Sequence, residues 1–219
     1  MPATKKGEKE AVVGATTSNA RTMAKTLQLT ALAALAALAG TILLTIGYRV
    51  APCGLLLSLA ITCGTVVYHV IMRLLVGGVF SAVMRNRADC KKRWYQVGRR
   101  EMAFYEALRV KTWKRRMPTY DSTLFDLRIH TWAEIAQAMC QAELVHETIA
   151  VLSLLPIAAG AWFGAYPVFL ITSLLAAACD MLFVMMQRYN RRRIMKLLER
   201  EERRETDSTK CRETFPPAR

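Results

Sequence analysis

Residues 148–187 read TIAVLSLLPIAAGAWFGAYPVFLITSLLAAACDMLFVMMQ, and this block decides the fold. From Thr148 to Cys179 it carries no charged side chain; after the single Asp180 the apolar run resumes to Gln187. A membrane-crossing helix needs roughly 20 apolar residues, so the block is too long for one. Gly160, Gly164 and Pro167 punctuate its middle, which predicts two helices, 148–163 and 167–187, joined by a tight hairpin. The first is short for a crossing. A re-entrant or strongly tilted segment is the alternative there, leaving three crossings rather than four.

Two further blocks lie upstream. Thr26–Tyr48 has no charge, and Val50–Met72 has none either, although it includes His69. Each is long enough for one crossing. The first exceeds a usual signal-peptide core and no small-residue cleavage site follows Tyr48, so it reads as an uncleaved anchor. The expected fold is all-α: a polytopic membrane protein of about four transmembrane helices with an interfacial helical segment. Its parts are a polar tail (1–25), a first transmembrane pair (26–84), a basic amphipathic segment (85–147), the hairpin (148–187) and a basic tail (188–219). The first 25 residues and the stretch from Arg200 have the composition of disordered extensions.

The chain has 219 residues and a net charge of +14, an odd combination with such apolar blocks unless lipid is part of the solvent. Thirteen Lys and Arg lie between Arg85 and Glu147 and eleven follow Gln187, whereas the connection after the first block has only Arg49 and the hairpin none. The positive-inside rule then puts both termini and the central segment in the cytoplasm, with the protein in the cell membrane. No zinc-finger or RNA-binding signature accompanies the basic residues, so nucleic acid is not an expected partner; the bilayer and anionic headgroups account for the charge. Six cysteines show no C-x-x-C spacing, and His69, His130 and His146 are dispersed. No disulfide framework and no metal site are expected.

Within the central segment, Trp94, Val97, Tyr105 and Leu108 recur near one side at helical spacing, interrupted by Glu101, which predicts an amphipathic interfacial helix ending at Pro118. Lys114, Arg115 and Arg116 suit the phosphates of a donor such as coenzyme A. Tyr120-Asp121-Ser122 reads as a turn. Thr131-Trp132-Ala133-Glu134 then has the form of a capping box. Trp132, Ile135, Met139, Ala142 and His146 follow it at spacings of three and four, one helical stripe that Pro156 is expected to kink.

That stripe places Glu143 and His146 within one turn of each other where the apolar block begins. A carboxylate beside a histidine can orient the ring and raise its basicity, as a general base requires. The plainer alternative is a Glu–His hydrogen bond at a helix start, since E-x-x-H is short and common.

Three blocks stand in order: Val110-Lys111-Thr112-Trp113-Lys114, Ala142-Glu143-Leu144-Val145-His146, and Gln187-Arg188-Tyr189-Asn190-Arg191. From about Tyr95 to Leu198 the set resembles the glycosyl-4,4'-diaponeurosporenoate acyltransferase family, which carries Val-x-x-Trp-Lys, Ala-Glu-Leu-x-His and Gln-Arg-Tyr-Asn-Arg. Family members commonly have Glu-Thr-Lys/Arg-Arg before Ala-Glu-Leu and often Trp after the His; here stand Ala138-Met139-Cys140-Gln141 and Glu147. The resemblance implies a membrane acyltransferase acylating a sugar hydroxyl of a glycolipid such as a glycosylated carotenoid. It makes His146 the candidate base, Glu143 its orienting partner, and Trp113, Lys114, Arg188, Tyr189 and Asn190 the candidate substrate rim. No bound cofactor is implied; the acyl donor, acyl-CoA or acyl carrier protein, is a co-substrate, and the acceptor is lipid-linked. The alternative is a non-catalytic membrane scaffold or lipid-binding protein that retains the architecture.

Overall fold

The computed structural model describes residues 3–113 and 130–214. Helix α1 (Ala3–Val50), alanine- and leucine-rich between Leu27 and Leu44, stops just before Ala51-Pro52, where proline pushes the preceding residue away from helical geometry. Helix α2 (Gly54–Met84) returns antiparallel to it. The two approach closely because Gly40 faces Cys63 and Gly64 faces Thr41; a Cβ at these glycines would sit 3.4 and 3.6 Å from the neighbour. Arg85 and Asn86, with φ of 48° and 57°, then turn the chain into the connection at what we term the base of the bundle.

That connection is not the single amphipathic helix expected. It holds a 3-10 turn at Arg93–Tyr95, helix α3 (Arg99–Ala107) and the single turn α4 (Val110–Trp113), so Trp94 and Val97 lie outside any α-helix. Extended backbone at Gln96 and Gly98 and the left-handed Arg109 (φ 52°) interrupt it. Lys114, Arg115, Arg116, Pro118 and the Tyr120–Ser122 turn fall outside the described residues.

Helix α5 (Trp132–Leu152) opens with the expected capping box: Thr131 Oγ1 accepts from the Glu134 amide at 3.3 Å, and Glu134 Oε2 accepts from the Thr131 amide at 2.8 Å. Pro156 has no N–H to give the Leu152 carbonyl. The Leu155 amide and the Tyr68 hydroxyl of α2, at 3.1 and 2.8 Å, take that carbonyl instead, and α6 (Pro156–Phe163) continues the span. Gly164, at φ 70°, closes the hairpin to α7 (Tyr166–Thr214).

The first arm of the hairpin is therefore longer than expected: Trp132–Phe163 forms one 32-residue apolar span. With Ala24–Val50, Gly54–Met84 and Tyr166–Arg204, four helices are long and apolar enough to cross a membrane. Within the described residues, the terminal stretches expected to lack structure (3–25 and 200–214) continue α1 and α7 as helix. Their Ala-, Glu- and Arg-rich composition favours helix, and Glu199 and Arg203 stand at the supportive i,i+4 spacing.

Polarity runs inside out relative to a water-soluble bundle. Leu35, Leu43, Leu75, Val79, Trp162 and Leu175 face outward, while Glu143, Asp180, Arg191, His69, Ser153 and Ser173 are buried. Lipid solvates the first set without cost, whereas the second must find partners within the protein. The principal seam, between α5 and α7, is where the three charged ones, Glu143, Asp180 and Arg191, do.

Candidate active site

Two layers of charge fill the seam. The layer nearer the base centres on Glu143, which is fully buried on α5. Arg188 Nη1 donates to its Oε1 at 2.7 Å, and the buried Arg191 donates to Oε2. Arg188 also donates from Nε to Glu101 Oε1 at 2.6 Å, and Tyr105 donates its hydroxyl to the same carboxylate oxygen at 2.5 Å.

The remaining guanidinium hydrogens meet the connection. Arg188 approaches the carbonyls of Trp94 and Gln96 at 3.4 and 3.5 Å; Arg191 donates to the Tyr95 carbonyl at 2.5 Å; Arg192 donates to those of Val97 and Gly98 at 2.7 and 2.8 Å. Five consecutive carbonyls are thus held by three arginines of one helix. A helical connection would have spent the Trp94–Val97 carbonyls on its own amides; the Gly98 carbonyl also accepts from the Met102 amide at 3.1 Å, where α3 begins. Burial lifts the Tyr95 phenol to about 12, with the Arg191 guanidinium opposing 5.0 Å from its ring centre. Burial also pushes the Glu101 carboxyl upward, but Arg188 and Tyr105 outweigh it and hold it below its ordinary range.

The second layer lies one turn deeper. His146 Nδ1 donates to Asp180 Oδ1 at 3.0 Å, and Arg73 of α2 donates to the other oxygen of the same buried carboxylate. The Nδ1 contact with a carboxylate assigns the ring proton to that nitrogen. The imidazole stacks on Phe183, with centroids 4.7 Å apart and planes 7° from parallel. Its side chain is 25% exposed, and Nε2 has no partner among the described residues. Two turns further in, His69 Nδ1 lies 3.5 Å from Ser153 Oγ.

This corrects the pairing expected from the sequence. Glu143 has both oxygens occupied by arginines, and Asp180 is the carboxylate that orients His146. Asp180 and Arg73 were both missed as site residues. The available signal was Asp180 itself, the one charge in forty apolar residues; an ionisable group inside a membrane span marks function by default.

The expected rim is partly assembled. Trp113 and Tyr189 meet in one cluster with Tyr105, Val110 and Met186. Arg188 is spent on Glu143, Glu101 and backbone, Asn190 is half-buried beside Tyr189, and Lys114 lies outside the described residues. Two residues that depart from the family pattern tie the connection down: Gln141 Oε1 accepts from the Asn86 amide at 2.7 Å, and Glu147 accepts from Trp94 Nε1 at 2.9 Å.

Two cavities border the first layer; neither is lined by His146 or Asp180, although the residues that follow them, Glu147 and Met181, line the smaller one. One, of about 490 Å³, has Met181, Val184 and Met185 as an apolar wall and Trp94, Glu101, Glu147 and Arg188 as a polar rim. The other, of about 710 Å³, opens at the base between the connection and α7, lined by Cys90, Lys91, Arg192 and Lys196 among others. Among the described residues no group of three His, Cys, Asp or Glu is placed to hold a metal ion. No curated protein and no solved structure matches the chain. Residues 91–200, half of its length, match the glycosyl-4,4'-diaponeurosporenoate acyltransferase (CrtO) family, and the chain belongs to that family.

Proposed function

We propose that this protein transfers a fatty acyl group from a thioester donor to a sugar hydroxyl of a membrane glycolipid, a glycosylated carotenoid being the acceptor that the family name suggests. The observation that carries the reading is the His146–Asp180 contact: Nδ1–H anchored on a buried carboxylate leaves the Nε2 lone pair open at a partly exposed position. That is the arrangement a general base needs.

In this mechanism Nε2 takes the proton of the acceptor hydroxyl as its oxygen attacks the thioester carbonyl. The tetrahedral intermediate collapses with rupture of the C–S bond, and the imidazolium returns its proton to the leaving thiolate. Asp180 holds the ring in one tautomer and stabilises the imidazolium, while Arg73 keeps that carboxylate in place. Phe183 fixes the ring plane. The smaller cavity, apolar on one wall and polar at its rim, suits an acyl chain with its carbonyl at the boundary. Glu143 takes a positioning part, through Arg188, at that rim. The donor is acyl-CoA or an acyl carrier protein arriving from the cytoplasm, the side on which the positive-inside rule sets the base.

The test is transfer of labelled acyl groups to glycolipid in membranes carrying each variant at equal abundance. His146→Ala should lower the rate by at least about 10²-fold, the usual scale of general-base assistance. Asp180→Asn should also lower it, with protein levels preserved. Full activity of His146→Ala would remove the base from the mechanism, whereas no transfer above that of membranes lacking the protein would leave the scaffold reading.

A further inference from the structure

Cys90 and Cys140 are separated by fifty positions in the sequence, yet their sulfurs stand 3.0 Å apart. Cys140 is fully buried on α5, one turn before Glu143; Cys90 is half-buried in the connection and lines the larger cavity. Both are free thiols. A disulfide places its sulfurs about 2.05 Å apart, so an approach of about 1 Å joins this pair. Cys140 donates its S–H toward Cys90, and that bond, against the opposing effect of burial, holds the Cys90 thiol below its ordinary pKa. Thiolate character at a cavity wall is what makes a cysteine reactive rather than a small hydrophobe.

The surroundings give the pair a mechanical meaning. The connection is fastened to α5 by the Asn86–Gln141 bond, and Cys90 follows four residues later against the preceding position of the same helix. A covalent link there closes a loop that contains Glu101, Tyr105 and the carbonyls gripped by Arg188, Arg191 and Arg192.

We propose that Cys90 and Cys140 form a redox-sensitive modification site whose disulfide staples the basal connection to α5. With a peroxide as oxidant the Cys90 thiolate attacks one oxygen, the O–O bond breaks, and water leaves after protonation, giving a sulfenic acid. Cys140 sulfur then displaces the sulfenic oxygen as a second water, so two thiols and one peroxide yield one disulfide and two waters. The site stands on geometry alone and does not depend on the acyl-transfer reading.

The experiment uses the full chain in detergent micelles. Hydrogen peroxide is applied, the reaction is quenched, remaining thiols are alkylated in denaturant, and peptides are mapped by mass without reduction. One cross-linked peptide pair, Cys90 with Cys140, is expected, reversed by dithiothreitol. The thermal midpoint should rise by several degrees on oxidation and fall back on reduction, because the link constrains the unfolded chain. Cys140→Ser should abolish both responses. Cross-links of Cys90 to Cys53, Cys63 or Cys179, or Cys140 recovered fully alkylated while Cys90 is oxidised, would overturn the site. A cross-link without any change in midpoint would overturn the stapling role.

Discussion

At the scale of single residues, Arg191 and Glu143 show how the base is held together. Both are almost completely buried, and each is the other's main compensation. Removing Arg191 leaves the buried Glu143 carboxylate with Arg188 alone and one oxygen unmet; breaking a buried pair typically costs about 3–5 kcal/mol, whereas replacing both partners with apolar groups is often near neutral. Arg191→Leu should therefore destabilise the protein by about 3 kcal/mol or more, and adding Glu143→Leu should recover a large part of that loss. Unfolding in mixed micelles, followed by tryptophan fluorescence, measures both; additive losses in the double variant would contradict the pairing. Recovery depends on Arg188 keeping Glu101, its other carboxylate partner.

The same scale separates what the sequence could tell from what it could not. His146 was placed on an inward stripe by spacing, and it does face the seam, stacked on Phe183. Spacing along the helix points to Glu143 as its carboxylate, whereas Asp180 comes within 3.0 Å only through the antiparallel hairpin. Local spacing reports neighbours on one helix; it cannot report which group on the returning helix arrives at the same height.

Among elements, the hairpin between α6 and α7 depends on a close approach. A Cβ at Gly160 would sit 2.8 Å from Tyr166 Cδ2 and 3.2 Å from the Tyr166 Cα. The ring could turn away, but the Cα belongs to the first residue of α7 and cannot move without opening the hairpin. Gly160→Ala should lower stability by about 1–3 kcal/mol, the usual range for overpacking, read as a lower thermal midpoint in micelles. Helix α3 supplies a second, pH-dependent contact. Arg188 and Tyr105 hold Glu101 below its ordinary value of 4.5, so its contribution to stability is fully present above that value and disappears as pH falls through the lower, folded one. Glu101→Gln should flatten this acid limb of a stability–pH curve while leaving the neutral region less stable throughout. The helical spans and the Thr131 cap were legible because each depends on residues close in sequence. The connection reads as one helix in the sequence but is not one, because its backbone is set by three arginines about ninety positions away.

For the molecule as a whole, the arrangement of the helices and the distribution of charge make one joint prediction. α1 and α2 run antiparallel, as do α5 and α7, and the connection from Arg85 to Thr131 joins the two pairs at the base. If all four helices cross, both ends of the described chain are expected on the side of that connection, with Ala51–Cys53 and Gly164 on the other. The base carries nearly all the Lys and Arg and the opposite turns almost none, so the positive-inside rule predicts that the base faces the cytoplasm. Epitope tags at either terminus should stay protected from protease added to intact cells and become accessible on permeabilisation. A tag inserted at Ala51 should be cleaved without permeabilisation. Opposite behaviour of the two termini would contradict four crossings. Joint exposure of both would keep the crossings but turn the base outward, away from cytoplasmic thioesters, and the proposed donor would then have no route to His146.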